Sequence, residues 1–119
     1  MTVRLPRKLP KRPKRDNRVR CPGHLAFIRL HMCVVPGCND TIIEAAHVRS
    51  SRDGGIAMKP GDQFAVSLCH WHHEQQHIMG EPQFQRFFQV DLLGLAQEFA
   101  RRSPALARYR AKQKKEAAK

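Results

Sequence analysis

The sequence predicts a small α+β domain closed by a metal ion: two short strands, a helix that carries ligands, and further helices after it. Three observations carry this expectation. Cys33 and Cys38 flank Pro36-Gly37, a tight turn that aims two thiolates at one point. Cys69 and His72 stand at the C-x2-H spacing of a zinc half-site. Strand-like patterning precedes Cys69, and apolar residues at helical spacing follow it.

The chain has 119 residues, enough for one domain, and its charge is unevenly spread. Residues 1–20 hold nine Lys/Arg against Asp16, and residues 101–119 hold eight against Glu116. The centre is left with five basic and eight acidic residues, so the formal +12 resides entirely at the two ends. Basic arms on a folded centre are the electrostatic footprint of a polyanion binder, because neutralising phosphates releases condensed counterions. The expected partner is nucleic acid. No apolar run approaches the ~20 residues that span a bilayer, and the N-terminus lacks the apolar stretch of a signal peptide. A cytoplasmic protein with no membrane partner is expected. In a reducing compartment, four cysteines among seven histidines read as metal ligands or buried thiols rather than disulfides.

Residues 1–20 alternate basic residues with Pro6, Pro10 and Pro13, a composition that predicts an extended or disordered arm. The domain is expected over 21–104. His24 to Leu30 reads as a short helix with Leu25 and Ile28 inward. Thr41 to His47 reads as a strand ending at His47, and Ser50 to Gln63, with Gly54-Gly55 and Pro60-Gly61, as a loop. Phe64 to Leu68 is the second strand, with Phe64, Val66 and Leu68 on one face. A helix from about Cys69 to Met79 stops at Gly80. Glu81-Pro82 opens a helix whose Phe84, Phe87 and Phe88 cover the previous one. Asp91 is the N-cap of another, with Leu92, Leu95, Ala96 and Phe99 at core spacing, ending near Ser103-Pro104. Residues 105–119 form a basic tail, too polar to fold alone and expected to turn helical on DNA.

Cys33, Cys38, Cys69 and His72 complete a Cys3His set for structural Zn2+, with His70 open as a replacement for His72. Such a site supplies about 10–16 kcal/mol of apparent binding energy, comparable to or above the total stability of a small domain. Cys21 lacks a paired spacing and is read as structural or free; His24 and His31 are read as surface or packing residues. His73 and His77, four apart on the same helix, form a second pair that points to an open, catalytic-type metal site.

Strand, His47, glycine-bearing loop, strand, Cys69-x2-His72 and His73 resemble the ββα-metal fold of HNH endonucleases. Ala46-His47-Val48-Arg49, Gly54-Gly55, Lys59-Pro60-x-Asp62, Leu68-Cys69, His73 and Gly80-Glu81 are similar to the recombination-enhancement group of phage and prophage HNH proteins. The resemblance spans roughly residues 33–103 and omits both basic ends. It implies an endonuclease that hydrolyses DNA phosphodiester bonds, with double- or single-stranded DNA as partner and a recombinase as a directing protein. His47 would be the general base and His73 a catalytic residue. His73 and His77 would hold a catalytic Mg2+, Mn2+ or Zn2+. Asp62 would take the slot usually filled by asparagine, to orient His47 or join the metal shell, and Arg49 and Lys59 would clamp phosphate.

The chain departs from that pattern in three places. His72 stands where many members have a second cysteine, and Asp62 lies further before Cys69 than the usual asparagine. Ala46 stands where many have an acidic or histidine ligand, and Glu44, three residues before His47 on a strand, should face away from it. The expectation is therefore either a ligand set of His73, His77 and Asp62 or weak catalysis. The alternatives are a non-catalytic, zinc-dependent nucleic-acid-binding module and a purely structural or protein-interaction zinc domain.

Overall fold

Two antiparallel strands, β1 (Ile43–His47) and β2 (Ala65–Cys69), form the sheet around which the described helices gather. The structure, a computed structural model, describes residues 3–10, 18–51 and 59–118. Gly54-Gly55 lies outside the described residues. α1 (Pro22–Arg29) precedes the sheet, and a single 3-10 turn (Arg49–Ser51) follows β1. After β2 come α2 (His70–Met79), α3 (Glu81–Phe88), α4 (Leu92–Arg102) and α5 (Pro104–Ala117). The α+β class is as expected, with two strands and five helices among the described residues.

The strand register pairs Ile43 with Cys69, Ala45 with Ser67 and His47 with Ala65, and sets Glu44 opposite Leu68 and Ala46 opposite Val66. Cross-strand partners share a face, so His47 and Glu44 leave the sheet on opposite sides. α1 packs against both strands, and α2 and α4 also pack on β2. With helices on both faces, all five residues of β2 are buried, which overrides the one-sided alternation expected of it. Val66, Leu68, Ala46, Val48, Phe84, Leu92 and Ala96 make the main apolar cluster. Of the three phenylalanines in α3, Phe84 is buried and Phe88 partly so, whereas Phe87 is 71% exposed and does not cover α2.

Local chemistry sets the helix ends. Asp91 accepts the amide of Gly94 and Ser103 accepts that of Leu106, each satisfying a donor that the first turn leaves free. Gly80 closes α2 and opens α3 at φ 80°, a left-handed conformation that favours glycine.

Both basic ends are rooted in the domain. The amide of Asp62 donates to the carbonyl of Val19, and Arg20 donates to the carbonyls of Lys59 and Pro60. At the other end, residues 104–117 are helical, and the first turn docks on α1. Leu106 is fully buried, and a Cβ on Gly23 would lie 3.1 Å from that of Ala105. From α1, His24 and Ile28 are buried while Leu25 is only partly so. His24 is thus a core histidine, and His31 packs its ring between Phe27 and Phe99.

Candidate functional site

The loop after α1 brings Cys33 and Cys38 to the end of β2. Gly37 takes φ 83° at the turn, and the amide of Cys38 closes it on the carbonyl of Val35. The amide of Val34 donates to the carbonyl of Ser67, and the Ser67 hydroxyl donates to that of Met32 at 2.6 Å. Cys69 ends β2 and caps α2, accepting the His72 amide, which sets His72 one turn into the helix.

The Sγ atoms of Cys33, Cys38 and Cys69 and a ring nitrogen of His72 all lie within 4.8 Å of one another, so the four can hold a metal ion such as zinc. Tetrahedral zinc with Zn–S of about 2.3 Å and Zn–N of about 2.0 Å sets S···S near ~3.8 Å and S···N near ~3.5 Å. Cys38 and Cys69 are 3.8 Å apart, and Cys33 lies 3.5 Å from Nδ1 of His72. The Cys69 to His72 distance, 3.0 Å, would have to open slightly. Donor type and spacing therefore fit zinc. Burial pushes the Cys33 thiol up to about 11 and raises that of Cys69, so a cation must displace the protons as it binds. His70 is not part of this group; its ring bonds Glu44 and Glu74.

A second centre forms at the end of β1. A cavity of about 290 Å³ is lined by His47, Arg49, Lys59, Pro60, His73 and His77. A neighbouring cavity of about 400 Å³ shares Arg49 and His77 and continues along Ser50, Gln76 and Gly80 to Pro82. Five of the residues singled out from sequence thus meet in one place, drawn from β1, the loop after it and α2.

Asp62 stands behind His47. It is 3% exposed; Oδ1 accepts from Nε2 of His47 at 2.9 Å, and Oδ2 accepts the Cys21 amide at 2.7 Å. Arg20 adds an ion pair at 3.6 Å. Both oxygens are engaged and neither lines the cavity, so Asp62 serves as the partner of His47 and not as the third ligand expected beside His73 and His77. Among the described residues, the Cys3His group alone brings three or more ligand atoms close together. Burial lowers the pKa of His47 against the opposing pull of Asp62, with Lys59 and Arg20 lowering it further, which favours the neutral ring. Since a carboxylate only accepts, Nε2 carries the proton, and Nδ1 keeps a lone pair that no hydrogen bond among the described residues engages.

Three supports of this centre are not visible in the sequence. Glu44 does leave the sheet opposite His47, but α2 crosses that face, and Oε1 meets Nδ1 of His73 at 2.8 Å. Its Oε2 meets His70 at 3.1 Å, and the hydrogen bonds from His73 and His70 hold its carboxyl below the usual range. Glu81, 8% exposed, accepts the amides of Arg49 and Ser50 at 2.6 and 2.7 Å, pinning the turn that presents Arg49. Gln76 ties that carboxylate to the carbonyl of His47. Long-range bonds to strand and turn carry no periodic signal; the Gly80-Glu81 pair of the HNH resemblance is the single hint of them. Burial lowers the pKa of His77, and His73 and Arg49 lower it further.

Compared with family models, with curated proteins and with solved structures, the chain matches none.

Proposed function

We propose that this protein is a metal-dependent endonuclease of the HNH type that hydrolyses DNA phosphodiester bonds. The observation that carries it is the cavity in which His47, tethered by Asp62, shares its walls with His73, His77, Arg49 and Lys59. A neutral imidazole with one nitrogen held and the other free is equipped to take a proton from water. In this mechanism Nδ1 of His47 accepts that proton as water attacks phosphorus. The bond from phosphorus to the 3′-oxygen breaks, and that oxygen takes a proton from solvent. Arg49 and Lys59 hold the non-bridging oxygens, where guanidinium and ammonium groups suit phosphate. A divalent ion on His73 and His77, whether Mg2+, Mn2+ or Zn2+, would supply positive charge to the transition state.

The Cys3His group is the structural zinc site in this scheme. It clips the 33–38 loop to the start of α2 and so sets the helix that carries His73 and His77. The basic ends, rooted at Arg20 and Leu106, would follow the DNA backbone, and a recombinase is a candidate directing partner.

One observation favours a second reading, a zinc-dependent nucleic-acid-binding module without catalysis. His73 and His77 have no third ligand atom close enough to form a cluster among the described residues. Nicking of supercoiled plasmid, run with Mg2+, Mn2+ and Zn2+ on the intact chain and on His47→Ala, separates the two. Nicking that needs both metal and His47 supports the nuclease. DNA retention without nicking under any ion supports the binding module.

A further inference from the structure

We infer that Glu44 is the positioning residue for His73, fixing its proton on Nδ1 so that Nε2 offers a lone pair to a divalent cation in the cavity shared with His47 and His77. This deepens the nuclease reading and rests on it for the identity of the site, though not for the test below.

The geometry comes from three contacts. Glu44 Oε1 and His73 Nδ1 are 2.8 Å apart, the length of a charge-assisted bond. A carboxylate has no proton to give, so Nδ1 is the donor and Nε2 the open acceptor. His73 lines the cavity, and its ring bonds Glu44 alone among the described residues, which leaves Nε2 open. The carboxylate is itself braced: Oε2 meets Nδ1 of His70 at 3.1 Å, and Nε2 of His70 meets Glu74 at 3.1 Å.

The two imidazoles of the cavity are therefore built alike. His47 has Nε2 tied to Asp62, and His73 has Nδ1 tied to Glu44. Each carboxylate leaves one ring nitrogen open to the same space, one suited to a proton and the other to a cation. A carboxylate behind a ligating histidine fixes ring orientation and raises ligand basicity, and its removal typically costs roughly 10–100-fold in metal affinity. Glu44 serves His73 rather than the ion itself because it does not line the cavity and its two oxygens are engaged by His73 and His70.

The test uses the zinc-loaded full chain and three variants. Glu44→Thr suits a strand but cannot reach His73; Glu44→Gln keeps an acceptor without the charge; His73→Ala identifies the ring signals. Zinc content and melting report the fold, 15N spectra of the imidazoles report the tautomer, and titration with Mn2+ reports the cavity. Expected for Glu44→Thr are unchanged zinc, a His73 ring that mixes both tautomers, and Mn2+ affinity lower by roughly 10–100-fold. Glu44→Gln should keep the Nδ1–H tautomer and lose less affinity. An unaltered tautomer and unaltered Mn2+ affinity in Glu44→Thr would overturn the assignment, as would an intact chain that binds no Mn2+ through His73. A folding failure of Glu44→Thr leaves Glu44→Gln to decide, since loss of charge alone must then weaken Mn2+ binding. Mn2+ binding that depends on Glu44 in a chain that never nicks DNA would keep this inference and reject the nuclease.

Discussion

Nε2 of His47 donates to Oδ1 of Asp62 across 2.9 Å, while the other oxygen of that carboxylate accepts the amide of Cys21 at 2.7 Å. One buried side chain thus ties the start of the folded chain to the imidazole at the end of β1, and stability and reactivity meet in it. Asp62→Ala strips both donors of their acceptor, which costs about 1–3 kcal/mol for each buried group left unpaired. Denaturant melting should register that loss, and nicking should fall as the His47 ring is freed. Asp62→Asn, with one carbonyl oxygen for two donors, should lie between.

Cys69→Ser and His47→Ala should give different phenotypes. The first removes one of the four residues that can hold a metal, so zinc content and the cooperative melting transition should disappear together, because metal binding at a structural site of this kind is part of the folding free energy. The second leaves the four ligands and the core alone. It should keep zinc, melting and DNA binding while nicking falls by roughly 10²–10⁴-fold, the range of a positioned general base. Equal nicking by His47→Ala and the intact chain would sink the proposed mechanism.

Acid should destabilise the protein through its buried histidines. Burial chiefly depresses His24 and His47 below 6.5. The unfolded chain takes up these protons near about 6.5, whereas the folded chain resists until lower pH, so the unfolded state binds more protons in between. Stability is therefore complete above that window and falls as pH drops through it. Both ring nitrogens of His24 are buried without a hydrogen-bond partner among the described residues, so His24→Leu should be tolerated and should make the acid decline shallower. Melting across pH 5 to 8 on both chains measures this. By the same sign, the acid limb of nicking should lie below 6.5, where His47 at last gains its proton.

Truncations should spare the roots of the arms. Removing residues 1–17 and 108–119 takes away most of the terminal charge while leaving Arg20 and Leu106 in place. Melting should change little, and DNA affinity should weaken with a flatter salt dependence, by about 0.9 in slope for each phosphate of duplex DNA that is no longer neutralised. A slope that survives both truncations would exclude the ends as DNA arms. Cutting back to residue 104 should unfold the domain as well, since burying a leucine such as Leu106 contributes about 2–5 kcal/mol.

Local features are readable from sequence: the Pro36-Gly37 turn between two cysteines, the Asp91 cap, the stop at Gly80. Each rests on a side chain acting within a few residues of itself. β1 begins at Ile43 rather than Thr41, and Ile42 stays 68% exposed, because β2 offers no partner beyond Cys69, where α2 begins. The helical tail is not readable either. At 14 residues an isolated helix is marginal, and the stabilising contact, Leu106 and Ala105 on α1, joins residues more than eighty apart in sequence.

The site divides along the same line. His47, His73 and His77 declare themselves by residue type and spacing, and Asp62 by its place in a motif. Glu44 does not. Alternation correctly turns it away from His47, yet its importance depends on which helix covers that face, which is tertiary information. Glu81 and Gln76 act on backbone groups of the turn after β1, and a sequence does not display where its amides need acceptors.

Cys38 and Cys69 approach to 3.8 Å, and His47, Arg49, Lys59, Pro60 and Asp62 all fall between them along the chain. With a cation bound, this stretch becomes a closed circle of polypeptide, the topology a disulfide would give. A peptide bond cut inside the circle would leave both new ends attached to one particle. Withdrawing the ion opens the circle, and the cavity would be lost with it although none of the four ligands forms its wall.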